Sequence, residues 1–215
     1  MDALLALLAR TSTSVMSDAL QKCGIDGQCR GIGPINPGDR VHGVAVTARI
    51  SPYNAASKHH AEYMDLLGPG SVPVLDGRGI REGALWGDLR ATVAKRVGAH
   101  GTVVDGMVRD RDGCRELGYP VFARGAHMLS GNKLAWIEER DVPVTIGGVY
   151  VRPGDFVLGD GDGVLFIPRD AAAQVYDQAA PLQEADERML AALRDGMSLV
   201  EARNVYGLKS ILPPR

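Results

Sequence analysis

Two short segments of the chain carry the residue types needed to hold a small anion beside a metal ion. Residues 87–90 (Gly-Asp-Leu-Arg) open a predicted amphipathic helix, and the first N–H groups of a helix have no partner within it. The pair Arg109-Asp110 follows a short buried strand and adds a guanidinium and a carboxylate. If the two segments meet, the resulting pocket suits a small keto acid bound to a divalent cation.

Asp110 is the candidate metal ligand. Magnesium takes one or two protein carboxylates and keeps several waters, so one Asp with a chelating substrate is sufficient. The alternative is that Asp110 caps the predicted helix over residues 111–117. Arg109 would add a guanidinium that binds the anion. Its alternative role is a surface ion pair with an acid such as Asp112.

The same local patterns also have structural interpretations. Residues 87–90 could be an ordinary glycine-containing entry turn capped by Asp88, and spacing alone leaves both interpretations open. Asp105 precedes Gly106 at a predicted strand end, where a turn-stabilising role is favoured over a catalytic one. The Asp160-Gly-Asp162-Gly run indicates a hairpin turn, because an EF-hand loop starting at Asp160 would require Glu where the chain has Ala171.

Composition limits the class of protein. The chain has 215 residues, of which 45% are hydrophobic and 23% charged, and its formal net charge is -2. These values predict one globular domain over residues 1–215 and give no basic stripe for nucleic acid. No apolar run approaches the roughly 20 residues of a membrane span. Three cysteines without CxxC spacing predict reduced thiols and a cytoplasmic location. The adjacent His59 and His60 would point apart on a helix, so a zinc site is not predicted.

Hydrophobic periodicity and frequent glycine turns predict an α/β protein. The predicted helices cover residues 2–9, 15–22, 56–67, 84–97, 111–117 and 170–193, with Pro181 kinking or splitting the last of these, and a final helix begins with a capping box of Ser198 and Glu201. The predicted strands cover residues 41–50, 71–75, 102–105, 119–123, 142–146, 149–152, 155–158 and 164–168.

Several motifs in this order resemble those of the RraA-like proteins, a family that includes the 4-hydroxy-4-methyl-2-oxoglutarate (HMG) aldolases. The matching pieces are Ser-Asp-Ala-Leu at 17–20, Trp-Gly-Asp-Leu at 86–89, Val-Asp-Gly at 104–106 with Arg109-Asp110, Pro-Val-Phe-Ala-Arg at 120–124, Val-Arg-Pro-Gly-Asp at 151–155 and Gly-Asp-Gly-Asp-Gly-Val at 159–164. The resemblance covers nearly the whole chain and is more specific for the fold than for the activity.

The resemblance implies an RraA-like α/β fold, with a βαβ core on a swivelling-type β layer and C-terminal helices over about residues 170–215. It also implies a homotrimer or hexamer, and a class II pyruvate aldolase that uses Mg²⁺ or Mn²⁺ and decarboxylates oxaloacetate. Asp110 would bind the metal, while Arg109 and Asp88 would be catalytic, Asp88 by positioning a water that exchanges a proton. The implied substrate-binding residues are Gly87, Asp88, Leu89, Arg90 and Arg109.

Two other functions stay open. The family's namesakes resemble protein-binding regulators of ribonuclease E, although the C-terminal helices predicted here favour the enzyme. A lyase for a sugar-derived keto acid would use the same metal chemistry with a different second pocket. Asp88, where many relatives carry Glu, and the Lys58-His59-His60 segment are departures that leave this open. Weaker candidates are Asp18, which could lie near the pocket, and Glu184 and Glu187, which could reach the site of a neighbouring subunit or simply form a solvated helix face.

Overall fold

The computed structural model describes residues 2–53 and 62–207, and only the backbone of Lys133. The described residues form six α-helices: α1 (Asp2–Leu8), α2 (Thr13–Lys22), α3 (Asp88–Arg96), α4 (Arg111–Glu116), α5 (Ala172–Arg194) and α6 (Leu199–Tyr206). They also form ten strands: β1 (Gly33–Pro34), β2 (Val41–Pro52), β3 (Ser71–Trp86), β4 (Thr102–Val108), β5 (Val121–Ala126), β6 (Ala135–Arg140), β7 (Val144–Ile146), β8 (Val149–Val151), β9 (Phe156–Asp160) and β10 (Gly163–Ile167). None of the described helices is long and apolar enough to cross a membrane.

The chain divides into two compact units. One contains residues 1–26 and 170–215, and the other contains residues 27–169. The first unit is helical, with α1, α2, α5 and α6. Within it, the buried Thr11 hydroxyl donates to Oε1 of Gln183 over 2.6 Å, which ties the N-terminal segment to α5.

Local capping bonds set the starts of two of these helices, and the second of them is the predicted capping box. Ser12 Oγ accepts a hydrogen bond from the Val15 N–H at the start of α2. Ser198 and Glu201 form both bonds of the capping box that starts α6. By contrast, α5 is continuous through Pro181, so the predicted split is wrong. Proline removes one helix hydrogen bond, and the buried residues Ala179 and Leu182 on either side keep one apolar face packed.

The second unit is built on a mixed eight-stranded sheet. Its order is β1-β5-β4-β3-β2-β9-β10, and β6 also pairs with β2. Strands β2, β3, β4 and β5 are parallel neighbours, while β9, β10 and β6 are antiparallel. Helix α3 connects β3 to β4 and α4 connects β4 to β5, which is the predicted βαβ core. The fold is therefore a mixed α/β fold with C-terminal helices, as predicted.

The two faces of this sheet carry separate apolar clusters, because successive residues of a strand point to opposite faces. Leu75, Val104 and Ala123 pack with buried alanines of α3. Their sequence neighbours Val74, Val103 and Phe122 pack on the other face, against the β7–β8 hairpin. The sheet is thus covered on both sides, and its C-terminal edge holds the polar residues of the site.

The strand that leads to the site is longer than predicted. Residues 84–86 were expected to begin a helix, but they continue β3, because Ala84 and Trp86 pair with Met107 and Val108 of β4. In α3 itself, Leu89 is 75% exposed, and Ala91 and Ala94 are the buried residues. Small alanines allow α3 to approach the sheet closely, which positions its N-terminus at the strand ends.

Three other predictions differ from the structure. Strand β6 was not predicted. The predicted helix over residues 56–67 falls largely outside the described residues, and residues 62–67 contain only a 3₁₀ turn, Met64–Leu66. Asp105 does not end a strand, because β4 continues to Val108. The Asp160–Gly163 turn, however, is the predicted hairpin, and Asp160 Oδ1 accepts from the Asp162 N–H.

Candidate active site

A cavity of about 130 Å³ lies where β3 and β4 end and α3 and α4 begin. It is lined by residues 84–90, Arg109, Asp110, Ser130 and Asn132. The C-terminal edge of parallel strands is the usual place for ligands in α/β proteins. The structure therefore brings together, at one cavity, the six residues that were the main candidates for binding substrate and metal: Gly87, Asp88, Leu89, Arg90, Arg109 and Asp110.

The β3–α3 junction has the form of an anion site. Gly87 is the N-cap residue of α3, with an extended backbone (φ -165°) and no capping side chain. The first bond of the helix runs from the Ala91 N–H to the Gly87 carbonyl. The N–H groups of residues 88–90 therefore have no partner in the helix, and the positive end of the helix dipole lies there. Asp88 is the first helical residue rather than the cap, so the capped-turn interpretation is wrong.

Position 87 requires glycine, because the side chains of Arg109 and Asp110 leave no room for a Cβ atom. A Cβ atom added there would lie 2.6 Å from Asp110 Oδ2 and 3.2 Å from Arg109 Cγ. Because this glycine is extended, any residue could adopt its backbone conformation, and only the neighbouring side chains exclude one. The absence of a side chain thus lets the Arg109-Asp110 pair approach the amides of α3.

Asp110 has a strained backbone and an available carboxylate. It has φ 55° and ψ 41°, a left-handed conformation that is uncommon outside glycine and is tolerated best by Asn and Asp. It occupies the N-cap position of α4, but its side chain makes no capping hydrogen bond. The alternative of a capping carboxylate is therefore wrong. The side chain is 35% exposed and meets Arg109 instead.

Arg109 is held both through its backbone and through its side chain. Its N–H donates to the Trp86 carbonyl over 3.0 Å, and its Nε lies 3.1 Å from Asp110 Oδ2. The surface pair with Asp112 does not form, because Asp112 pairs with Arg115 at 2.7 Å. The guanidinium is 38% exposed at the cavity, so it can contact a ligand while the carboxylate beside it fixes its direction.

Asp88 places a second carboxylate on the same side of the molecule. It is half-buried, and a Cβ added to Gly113 would lie 3.0 Å from its Oδ2, so α4 packs closely against it. The pKa of the buried Cys114 thiol is raised to about 11, first by burial and then by the charges of Asp88 and Asp110. Both carboxylates therefore contribute negative potential to this region, which favours a cation.

The donor set suits a hard divalent cation with water ligands. Among the described residues, no group of three or more His, Cys, Asp or Glu side chains could enclose a metal. Asp110 has a carboxylate without a capping role, next to a position where a Cβ would fill the space. One carboxylate with several waters is the pattern that magnesium tolerates. The residues present therefore fit such an ion, with Asp110 as the protein ligand.

The remaining acidic candidates are not among the residues that line this cavity. Asp105 is buried in β4, where it forms an ion pair with Arg124 and accepts from the Gly147 N–H over 2.7 Å. Asp18, Glu184 and Glu187 belong to the helical unit. There Glu187 pairs with Arg10, and Glu184 pairs with Arg188. The Lys58-His59-His60 segment lies outside the described residues.

The sequence analysis missed two polar residues of the cavity, Ser130 and Asn132. They reach it because the backbone of Ser130 bridges to Ala84 of β3, and the Ala84 N–H donates to the Leu129 carbonyl. Gly131 makes this approach possible, since a Cβ there would lie 2.5 Å from the Ala84 carbonyl oxygen. The Ser-Gly-Asn triplet is the only local signal, and it indicates a turn rather than a ligand site.

Comparison with known proteins places this architecture in a family. The family model described as RraA-like, Aldolase/RraA, matches residues 13–166. Protein DlpA of Legionella pneumophila is 35% identical over 206 residues, which is 94% of this chain but 34% of that protein, so the chain spans about a third of its length. A Halalkalibacterium halodurans protein named "Putative 4-hydroxy-4-methyl-2-oxoglutarate aldolase" is 35% identical over 88% of each chain.

Structural similarity agrees with the sequence comparison. The crystal structure of Streptomyces coelicolor RraAS2, described as an unusual member of the RNase ES inhibitor RraA protein family, superposes with a TM-score of 0.77. It is 29% identical and covers 90% of this chain and 96% of its own. The match to the family model and the 35% identity to the Halalkalibacterium halodurans protein over 88% of each chain show that this chain belongs to the RraA-like (Aldolase/RraA) family.

Proposed function

We propose that this protein is a divalent-metal-dependent lyase that cleaves a 4-hydroxy-2-keto acid, such as HMG, to pyruvate, and that it also decarboxylates oxaloacetate. The observation that carries the proposal is the convergence of the α3 amides, Arg109 and Asp110 on one cavity. The name of the Halalkalibacterium halodurans relative supports an aldolase role at the level of the family.

The carboxylate of the substrate binds at the N-terminus of α3. The N–H groups of Asp88, Leu89 and Arg90 face no helical acceptor, so they can donate to its oxygens. The helix dipole adds about 0.3–1 kcal/mol for a charge at such a terminus. The absence of a side chain at Gly87 allows Arg109 and Asp110 to lie against the start of α3, beside these amides.

Arg109 stabilises the charge that develops on the keto oxygen. Cleavage of the bond between C3 and C4 leaves its electron pair on the pyruvyl fragment as an enolate, while the C4 hydroxyl loses its proton and becomes a carbonyl. A guanidinium fixed by its neighbour's carboxylate is a preorganised donor for the enolate oxygen. The hydrogen bond from its backbone N–H to the Trp86 carbonyl fixes its position beside the end of β3.

Asp88 positions the water that carries the proton during cleavage. Its half-buried carboxylate lies beside the amides that hold the substrate, so it can position a water to accept the proton of the C4 hydroxyl. The same water returns a proton to C3 of the enolate, which completes pyruvate. Oxaloacetate would follow the same course, because loss of its C4 carboxylate as CO₂ also leaves the enolate of pyruvate.

Asp110 would hold the divalent cation, Mg²⁺ or Mn²⁺. When bound, such an ion supplies Lewis-acid polarisation of the keto oxygen. We further propose a homotrimer or hexamer in the cytoplasm, as the family resemblance implies. Light scattering during size-exclusion chromatography tests the oligomer.

A second candidate function is binding of a ribonuclease. It is favoured by the similarity to RraAS2, which covers 90% of this chain. A regulator of this kind acts through surface contact and does not require the charge of Asp110. Binding of a purified ribonuclease E-type enzyme that is equal for wild type and Asp110→Asn would therefore support this candidate, particularly if neither protein releases pyruvate.

The decisive experiment measures pyruvate release from oxaloacetate and from HMG, with and without Mg²⁺, for wild type and Asp110→Asn. Asparagine tolerates the left-handed backbone of position 110 and removes only the charge. We expect metal-dependent release by wild type and a loss of at least about 100-fold in the variant, because the neutral amide binds a divalent cation much more weakly than the carboxylate.

The matched control is Asp112→Asn. Asp112 lies two residues further along the chain, is 79% exposed and pairs with Arg115 outside the cavity. The control variant should retain wild-type rates. Equal loss in both variants, or no release by folded wild type with Mg²⁺ from either substrate, would overturn the lyase proposal.

A further inference from the structure

A second cavity, of about 280 Å³, adjoins the first and shares Ala84, Leu85, Arg90 and Asn132 with it. Its other walls come from β2, β6 and the turn before β6, namely Ile50, Gly131 and residues 135–137. These walls are brought together by antiparallel pairing, with Ile50 opposite Ile137 and Ser51 opposite Trp136. The second cavity therefore lies directly beside the first cavity, which is lined by Arg109 and Asp110.

The sizes of the two cavities indicate how a substrate is divided between them. Small-molecule sites usually have volumes of roughly 300–1,000 Å³, and the first cavity alone is well below that range. It has room for a pyruvyl group held by the α3 amides, but not for the rest of a longer keto acid. The second cavity brings the combined volume into the usual range, so the group carried on C4 extends into it.

Arg90 is the charged side chain at the junction. Its Nη1 donates to the Leu85 carbonyl over 2.7 Å, which holds the guanidinium across the boundary between the two cavities. Among the described residues, no carboxylate forms an ion pair with it. The guanidinium is close enough to the buried Tyr63 to lower that phenol's pKa, although burial is the larger effect and raises it. Arg90 is exposed, and an anchored guanidinium with unused donors at the side of a cavity suits an anionic group of a ligand.

Asn132 lies on the same boundary and adds a neutral polar group. Its backbone N–H bonds to Ser130 Oγ, and the residue lines both cavities. The other walls include the buried residues Ile50, Ala135 and Ile137 and the partly buried Trp136.

We propose that the side chains of Arg90 and Asn132 are the specificity-determining residues for the distal half of the substrate, where they bind a second carboxylate. This inference rests on the proposed function, because it takes the first cavity as the pyruvyl site. The α3 amides and Arg109 bind one end of a dicarboxylic 4-hydroxy-2-keto acid. Arg90 and Asn132 bind the other end, and Ile50 and Ile137 contact the carbon chain between them.

The test uses two five-carbon keto acids that lack a C4 hydroxyl and so cannot undergo aldol cleavage. 2-Oxoglutarate and 2-oxopentanoate differ at the far end, where one has a carboxylate and the other a methyl group. Isothermal titration calorimetry with Mg²⁺ gives the ratio of their Kd values. We expect wild type to prefer 2-oxoglutarate by about 10- to 100-fold, as for one or two charge-assisted hydrogen bonds.

Arg90→Gln should reduce this ratio to within about threefold of unity, because an amide replaces the charge. Arg90→Lys should restore part of the preference. Asn132→Asp, which changes the charge at nearly constant shape, should also lower it by repulsion. The control is Arg96→Gln on the exposed last turn of the same helix, outside both cavities, which should keep the wild-type ratio.

The outcomes separate this inference from the lyase proposal. A ratio that falls in Arg90→Gln supports the role of Arg90 even if wild type releases no pyruvate from any keto acid. Pyruvate release by wild type with an unchanged ratio in Arg90→Gln would leave the lyase standing and overturn this inference. A wild type without a preference for 2-oxoglutarate would also overturn it.

Discussion

Gly87 and Asp110 approach so closely that a methyl group on Gly87 would lie 2.6 Å from the Asp110 carboxylate. These residues belong to different loops, one after β3 and the other after β4. Their approach joins the two halves of the site, since one loop provides the helix amides and the other provides Arg109 and Asp110.

This contact predicts that Gly87→Ala inactivates a folded protein. The added carbon must displace Asp110 or the amides of α3, and a displacement of about 1 Å in such a site can cost roughly 100-fold in rate. We expect kcat/KM for oxaloacetate to fall by about that factor, with a circular dichroism spectrum like that of wild type. Gly33→Ala is the control, because its Cβ would meet nothing within 4 Å. Full activity in Gly87→Ala would contradict the assigned geometry.

Two buried tyrosines predict opposite effects of the same substitution on stability. The hydroxyl of Tyr119 bonds to Thr102 Oγ1 over 2.9 Å, and both residues are buried. Tyr119→Phe leaves the Thr102 hydroxyl without this partner and should cost about 1–3 kcal/mol of unfolding free energy. Tyr63 is equally buried, but no described residue bonds to its hydroxyl. Tyr63→Phe should therefore be neutral or slightly stabilising.

Urea unfolding of wild type and the two phenylalanine variants measures this difference. The substitutions are chemically identical, so the loss of one hydroxyl group in the unfolded chain cancels in the comparison. A loss of more than about 1 kcal/mol in Tyr63→Phe would show that its hydroxyl has a bonding partner after all.

The buried Cys114 thiol predicts a loss of stability in alkali. Burial, with the charges of Asp88 and Asp110, raises its pKa from 9.0 in a model thiol to about 11 in the folded protein. The unfolded chain therefore releases this proton first as pH rises, and the free energy of unfolding falls progressively between about pH 9 and pH 11. Below pH 9 the thiol is protonated in both the folded and the unfolded state, so it does not change the free energy of unfolding with pH.

The measurement compares urea unfolding of wild type and Cys114→Ala at pH 8 and pH 10. Other buried groups, including Cys29, also titrate in alkali, so the informative quantity is the difference between the two proteins. The pH-dependent loss should be smaller in Cys114→Ala. An identical loss in both would mean that Cys114 is not protonated preferentially in the folded state.

Sequence by itself determined the features that depend on bonds between neighbouring residues. The capping box of Ser198 and Glu201 and the hairpin turn at Asp160 are of this kind, because their partners lie within three residues. The start of a helix near Gly87 and the Arg109-Asp110 pair could also be found this way. Backbone amides at a helix start and a charged pair after a strand have the same chemical character in any fold.

Tertiary structure decided which residues meet. Residues 84–86 are a strand rather than helix because β4 pairs with them, and this pairing overrides local helical periodicity. Ser130 and Asn132 reach the cavity through a bridge to Ala84, a residue distant in sequence. The second cavity exists only where β2 pairs with β6, a strand that the sequence did not predict. Contacts of this kind depend on the packing of the whole sheet, and therefore no local pattern specifies the residues that bind the distal half of a substrate.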